Sequence, residues 1–115
     1  MKKKIVVVDD IRNYPFTDED EGVTLRTSQQ ALSYLGYKTG IRVEIDELWL
    51  DFDLGGDDTA MPVALFLAEC AYYGSPYPVK SIIIHSMNPV GSEAMRSVLA
   101  RYGYDVVCQI AHFHT

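Results

Sequence analysis

Lys4-Ile5-Val6-Val7-Val8-Asp9-Asp10 decides the fold. Its four β-branched residues run on without polar alternation, so residues 4–9 predict a strand buried on both faces, as in a parallel sheet. Two carboxylates stand where that strand leaves the core. The same event recurs twice. Leu48-Trp49-Leu50, in a strand that can begin as early as Ile45, runs into Asp51 and Asp53. Ile82-Ile83-Ile84 runs into His85-Ser86 and then Asn88-Pro89-Val90-Gly91. Side by side, three such strands would bring acid, imidazole, hydroxyl and a helix amino terminus to one crevice, the layout of a phosphate-handling site with a divalent cation.

Working outward, residues 11–22 carry Pro15, the acidic run 17–21 and Gly22, and predict a loop. Residues 23–27 predict a second strand. Ser28 predicts an N-cap for a helix over 29–37, with Ala31, Leu32 and Leu35 on one face and Gly40 as its stop. Gly55 and Gly56 open a turn, and Asp58 or Thr59 predicts the cap of a helix with Pro62 in its first turn. Val63, Leu65, Phe66, Leu67 and Cys70 supply the apolar surface of that helix, which residues 74–78 break. Val79–His85 predicts the fourth strand, 89–102 a helix ended by Gly103, and 104–110 the fifth strand.

Alternating strands and helices mean right-handed crossovers and a parallel sheet. The expectation is an α/β, flavodoxin-like (receiver-like) parallel five-stranded sheet of order 2-1-3-4-5, with its site at the carboxyl ends of the strands. The first and last helices of that plan are expected to be reduced or missing. Both would cover one sheet face, so that face needs another cover: a homodimer through it, or the loop over 12–22.

At 115 residues, the chain is expected to form one domain spanning 1–115. With 48% apolar and 23% charged residues it reads as globular, and its net charge of −6 argues against long nucleic acid as a partner. No apolar run approaches a membrane span and no secretory signal fits. Cys70 and Cys108 have no metal spacing, so free thiols in a reducing cytoplasm are expected.

The acids admit two readings. Asp51 and Asp53 lie two apart and point to one side of an extended chain, and Asp9 or Asp10 can turn into the same crevice. Clustered carboxylates raise one another's pKa unless a cation intervenes, and hard oxygen donors suit Mg²⁺ or Mn²⁺. On that reading Asp9, Asp10, Asp51 and Asp53 are metal ligands. On the other they cap helices and turns, as expected for Asp57 and Asp58. His85 is a general acid, base or ligand, or a hydrogen-bonded structural residue. Ser86, Asn88 and Gly91 can cradle a phosphate at the helix terminus, Asn88 serving equally as an N-cap. Arg12 can clamp a phosphate or pair with the 17–21 acids, and Arg26 has the same two options. His112 and His114 alternate as metal ligands do, or form a frayed tail.

The Ile-Val-Val-Val-Asp-Asp opening and Leu50-Asp51 resemble response-regulator receiver domains, in which the first acids hold Mg²⁺ and the second-site aspartate accepts a phosphoryl group. Ser86 matches the receiver hydroxyl. The receiver's lysine at the end of the fifth strand is missing, the nearest being Lys80. Asp9-Asp10-Ile11-Arg12, Leu50-Asp51-Phe52-Asp53-Leu54-Gly55 and His85-Ser86-Met87-Asn88-Pro89-Val90-Gly91 more closely resemble the cyclic-phosphate-processing receiver-like family. Met95 and Gly103-Tyr104 fit it too, and the resemblance spans nearly the whole chain. Phe52 departs from it, standing where the family commonly has histidine.

This resemblance implies a phage or bacterial protein acting on cyclic phosphates of nucleotides, RNA ends or ADP-ribose derivatives. The expected activity is that of a metal-assisted phosphoesterase, with His85 and Asp51 catalytic and Arg12, Ser86, Asn88 and Gly91 on the phosphate. The alternatives are a module that sequesters a cyclic nucleotide without hydrolysing it, favoured by Phe52, and a degenerate receiver phosphorylated on Asp51.

Overall fold

The computed structural model describes residues 2–109. Five strands form one parallel sheet of order β2-β1-β3-β4-β5: β1 Lys3–Val8, β2 Asp20–Leu25, β3 Ile45–Leu50, β4 Val79–His85 and β5 Val106–Gln109. Three helices connect them, α1 Ser28–Tyr34, α2 Met61–Tyr72 and α3 Pro89–Arg101. This is the receiver-type flavodoxin-like fold the sequence implies. No helix joins β1 to β2, as expected. The expected loss of the last helix, and His112 and His114, lie outside the described residues.

Alternate residues of the central strands build the core. Val6, Val8, Leu48, Leu50, Ile82 and Ile84 face the helices and pack with Ala31, Leu35, Val63, Leu67, Met95 and Leu99. Two buried tyrosines tie the connections to this core. Tyr104 donates its hydroxyl to the Leu67 carbonyl at 2.6 Å and accepts the Tyr77 amide, while Tyr77 donates to the Leu35 carbonyl.

Ile5, Val7 and Ile83 point to the opposite face and are buried as well. The β1–β2 loop supplies their cover. Tyr14 packs at a tilt against Trp49, with ring centres 5.3 Å apart, and against Phe16 at 4.9 Å, and the Phe16 ring fills the space a side chain at Gly22 would need. Of the two covers expected for this face, the loop is therefore present over β1, β2 and β3, and the sheet is not uncovered there. Val107 of β5, 49% exposed, is open on that side.

Three local expectations are corrected. β2 begins at Asp20 rather than residue 23, because β1 pairs with the acidic run from Lys3↔Asp20 onward. Thr27, not Ser28, caps α1 through the Gln30 amide, since Ser28 is held by both carboxylate oxygens of Asp58. α1 stops at Gly36 rather than Gly40. With φ 83° Gly36 turns the chain left-handed, so that its amide reaches the Ser33 carbonyl and the Tyr37 amide the Leu32 carbonyl. At the start of α2 the N-cap position is Ala60, while the Thr59 hydroxyl accepts the Met61 amide at 3.3 Å, one of the two caps expected there, and Pro62 sits in the first turn as expected.

Candidate functional site

The carboxyl ends of β1 and β3 deliver the acids. The sheet ladder continues one residue past both strands, with the Asp9 amide on the Leu25 carbonyl at 3.0 Å and the Asp51 amide on the Val8 carbonyl at 2.9 Å. That fixes the Asp9 and Asp51 backbones side by side. Beyond β3 the chain turns through Gly55, whose φ of 92° suits glycine alone. A Cβ there would meet the Asp10 carboxylate at 3.3 Å, so the turn closes directly over Asp10.

Asp9, Asp10 and Asp51 each offer a carboxylate oxygen, and these oxygens lie within 4.8 Å of one another. One Asp9 oxygen accepts the Ile11 and Arg12 amides at 3.0 and 2.8 Å, which locks its orientation. The other, Oδ2, is fully buried with no hydrogen-bond partner among the described residues. A buried carboxylate oxygen left in that state costs free energy unless something positive meets it. Three converging carboxylates of this kind fit a hard divalent cation such as Mg²⁺ or Mn²⁺.

The electrostatics agree in sign. Burial pushes the Asp51 carboxyl up to about 6; Asp9 adds to the rise and Asp10 adds a smaller part, while the Ser86 hydroxyl bonded to it and the Arg12 charge pull it back. Ser86 also accepts the Asn88 amide, which fixes its hydroxyl at the end of β4.

His85 is not at the rim. It shares strand parity with Ile83, which turns it to the loop-covered face, where it is 0% exposed, edge-on to Trp49 at 5.6 Å and 3.8 Å from Asp9 Oδ2 through Nδ1. Burial lowers its pKa to about 4 against the opposing pull of Asp9, so at neutral pH it is an uncharged imidazole behind the acid cluster. The expected role of proton donor to a ligand is corrected accordingly.

Two more expectations are corrected, for Asp53 and Gly91, and Asn88 takes the N-cap role, one of the two expected of it. Asp53 is exposed and outside the cluster. The chain leaves extended geometry at Phe52, whose carbonyl takes the Ala60 amide, so the two-residue alternation from Asp51 is lost. Asp53 instead accepts the Asn88 side-chain amide at 3.4 Å. Asn88 is the N-cap of α3, accepting the Gly91 amide at 2.9 Å. Gly91 opens no space for a ligand, because the Phe52 ring occupies the position its Cβ would take. Of the four phosphate-cradling candidates, Ser86 and Arg12 border the acids; Asn88 and Gly91 build the helix start.

Arg26 resolves differently from either expectation. Its guanidinium donates to the Asp9 and Arg12 carbonyls and to Asn13, stapling the loop that carries Arg12. Lys80 lies at the opposite rim, paired with Asp46 at 3.1 Å. No helix among the described residues is long and apolar enough to cross a membrane.

A family profile described as the cyclic-phosphate processing receiver domain matches residues 4–101. A solved structure, titled as yeast Spc42 trimeric coiled-coil amino acids 181–211 fused to another structure, is similar with a TM-score of 0.56 at 20% identity. The match covers 97% of this chain and 72% of that one, and it speaks to the fold alone. No curated protein matches the sequence.

Proposed function

The chain belongs to the cyclic-phosphate processing receiver domain family, and from that premise we propose that it is a metal-assisted phosphoesterase that opens a cyclic phosphate. The observation that carries this reading is the convergence of Asp9, Asp10 and Asp51 around a buried Asp9 oxygen with no donor of its own. These three residues would hold Mg²⁺ or Mn²⁺, which supplies charge neutralisation at the phosphoryl oxygens and a more acidic bound water.

The chain's own groups do the rest. The ladder bonds and the loop amides hold Asp9 and Asp51 in place before any ligand arrives. Arg12 sets a positive charge beside them, where negative charge on phosphoryl oxygens is stabilised most. Ser86 offers its hydroxyl at the same point, to Asp51 or to a phosphoryl oxygen. His85 is a positioning residue: its imidazole, uncharged at neutral pH, packs behind Asp9 with Nδ1 3.8 Å from Oδ2. In the reaction water adds to phosphorus, one ring P–O bond breaks, and the departing oxygen leaves with a proton, giving a phosphomonoester.

One observation favours a second reading, sequestration without hydrolysis. Phe52 stands where the family commonly carries histidine, and His85 is buried, so among the described residues no imidazole reaches the ligand. Incubation with nucleoside 2′,3′-cyclic phosphates and Mn²⁺, followed by chromatography, separates the two. Phosphomonoester formed by the wild type and not by Asp10→Asn supports the phosphoesterase. Ligand bound tightly and recovered intact refutes it in favour of sequestration.

A further inference from the structure

Arg26, Thr27 and Ser28 lead from β2 into α1, and this one junction holds both loops that carry the acid cluster. Arg26 holds the first, through the Asp9 and Arg12 carbonyls and Asn13. Ser28 holds the second. Its amide donates to Asp58 Oδ2 at 2.9 Å and its hydroxyl donates to Asp58 Oδ1, so both oxygens of one carboxylate are engaged across thirty residues of chain. Asp58 does not serve its own helix, since the N-cap position of α2 is Ala60. Its backbone closes the turn beyond β3: its carbonyl accepts the Leu54 amide and its amide donates to the Gly55 carbonyl, both at 3.0 Å. Gly55 and Gly56, with φ of 92° and 54°, supply the left-handed backbone this closure needs. The turn is one bonded unit, and the Asp58 side chain fastens it to α1.

The three acids differ in how they are held. Asp9 accepts the Ile11 and Arg12 amides, and Asp51 is bonded by the Ser86 hydroxyl. The Asp10 carboxylate accepts no hydrogen bond among the described residues. What confines it is the turn itself: a Cβ added at Gly55 would stand 3.3 Å from Asp10 Oδ2. A carboxylate gives up side-chain freedom when it ligates an ion, and a wall already in place lowers that cost.

We propose that Ser28 and Asp58 are positioning residues for Asp10: the latch between them sets the Gly55 turn against that carboxylate and so orients it for the cation. The inference rests on the metal-site reading of Asp9, Asp10 and Asp51 and adds two residues that lie outside that cluster. A latch that served stability alone would behave differently. Its loss would lower the melting temperature and leave metal affinity, measured well below that temperature, unchanged.

The test is Mn²⁺ titration of the metal-stripped protein, read by electron paramagnetic resonance and carried to ion concentrations that fill the weakened sites. The proteins are the wild type, Ser28→Ala, Ser28→Thr, Asp10→Asn and the double variant Ser28→Ala with Asp10→Asn. Ser28→Ala keeps the net charge, leaves Thr27 as the cap of α1 and keeps the residue 28 amide on Asp58, so folding is preserved. It should weaken Mn²⁺ binding about tenfold, the scale of losing an outer partner of a metal ligand. Ser28→Thr retains a hydroxyl and should return the affinity to within about twofold of the wild type. In the Asp10→Asn background, Ser28→Ala should cost less than about twofold, because the latch acts through Asp10. Full affinity in Ser28→Ala, a loss that Ser28→Thr does not restore, or an equal loss in the Asp10→Asn background overturns the latch while the metal site stands. No Mn²⁺ bound by the wild type overturns the metal-site reading and the latch with it.

Discussion

Replacing Asp51 with asparagine should stabilise the metal-free protein at neutral pH. Burial and two neighbouring carboxylates raise the Asp51 carboxyl from the ordinary 3.8 to about 6. The native state therefore holds a proton more tightly than the unfolded chain between those values, and stability falls as pH rises through that window. Above it the full penalty of the ionised group is present. A shift of about two units corresponds to roughly 3 kcal/mol, and partial water contact at the rim reduces that to about 1–2 kcal/mol. In excess EDTA at pH 7, Asp51→Asn should then raise Tm by about 4–8 °C. At pH 4, where native Asp51 is already protonated, the difference should nearly vanish. Mg²⁺ should reverse the order, stabilising the wild type by about 2.7 kcal/mol at one hundred times its dissociation constant and the variant hardly at all. Calorimetric melts at both pH values, with EDTA and with Mg²⁺, check all three. A variant less stable than the wild type in EDTA at pH 7, or an equal offset at pH 4 and 7, refutes the reasoning.

The Asp51→Asn background also exposes His85. Its pKa is lowered to about 4 from an ordinary 6.5, so the unfolded chain binds the proton first and stability should fall as pH drops from 6.5 towards 4; urea unfolding at several pH values in EDTA reads this out. Gly91→Ala would drive a methyl group into the Phe52 ring and should cost about 1–3 kcal/mol, with Phe52→Ala recovering much of it in the double variant, as a denaturation cycle measures. Phe52→His places an imidazole beside the acids and should raise the hydrolysis rate about 10²-fold or more if general acid–base help is what the site lacks; single-turnover kinetics decides, and an unchanged rate contradicts that role.

The sheet was legible because β-branched runs in β1 and β4 are too apolar on both faces to belong anywhere but its centre, and β4 occupies the stretch the sequence predicts. The Asp9–Asp10–Asp51 meeting was legible for the same reason, since neighbouring strands that end together bring their next residues together. What was not legible depends on which face the helices cover. Ile82 and Ile84 are indistinguishable from Ile83 in the sequence, so nothing local says that His85 turns towards Tyr14 and Trp49 instead of the rim. Asp53 was misplaced by extending strand alternation through a turn. Thr27 and Ser28 are adjacent and equally good caps, and the choice between them is made by Asp58, thirty residues away.

The most direct measurement is Mn²⁺ titration followed by electron paramagnetic resonance, on the wild type and on Asp10→Asn, Asp51→Asn and Asp53→Asn. The account predicts one bound ion, affinity reduced tenfold or more in the first two variants, and affinity kept in the third. No bound ion in the wild type, or a loss in Asp53→Asn as large as in Asp51→Asn, would contradict it.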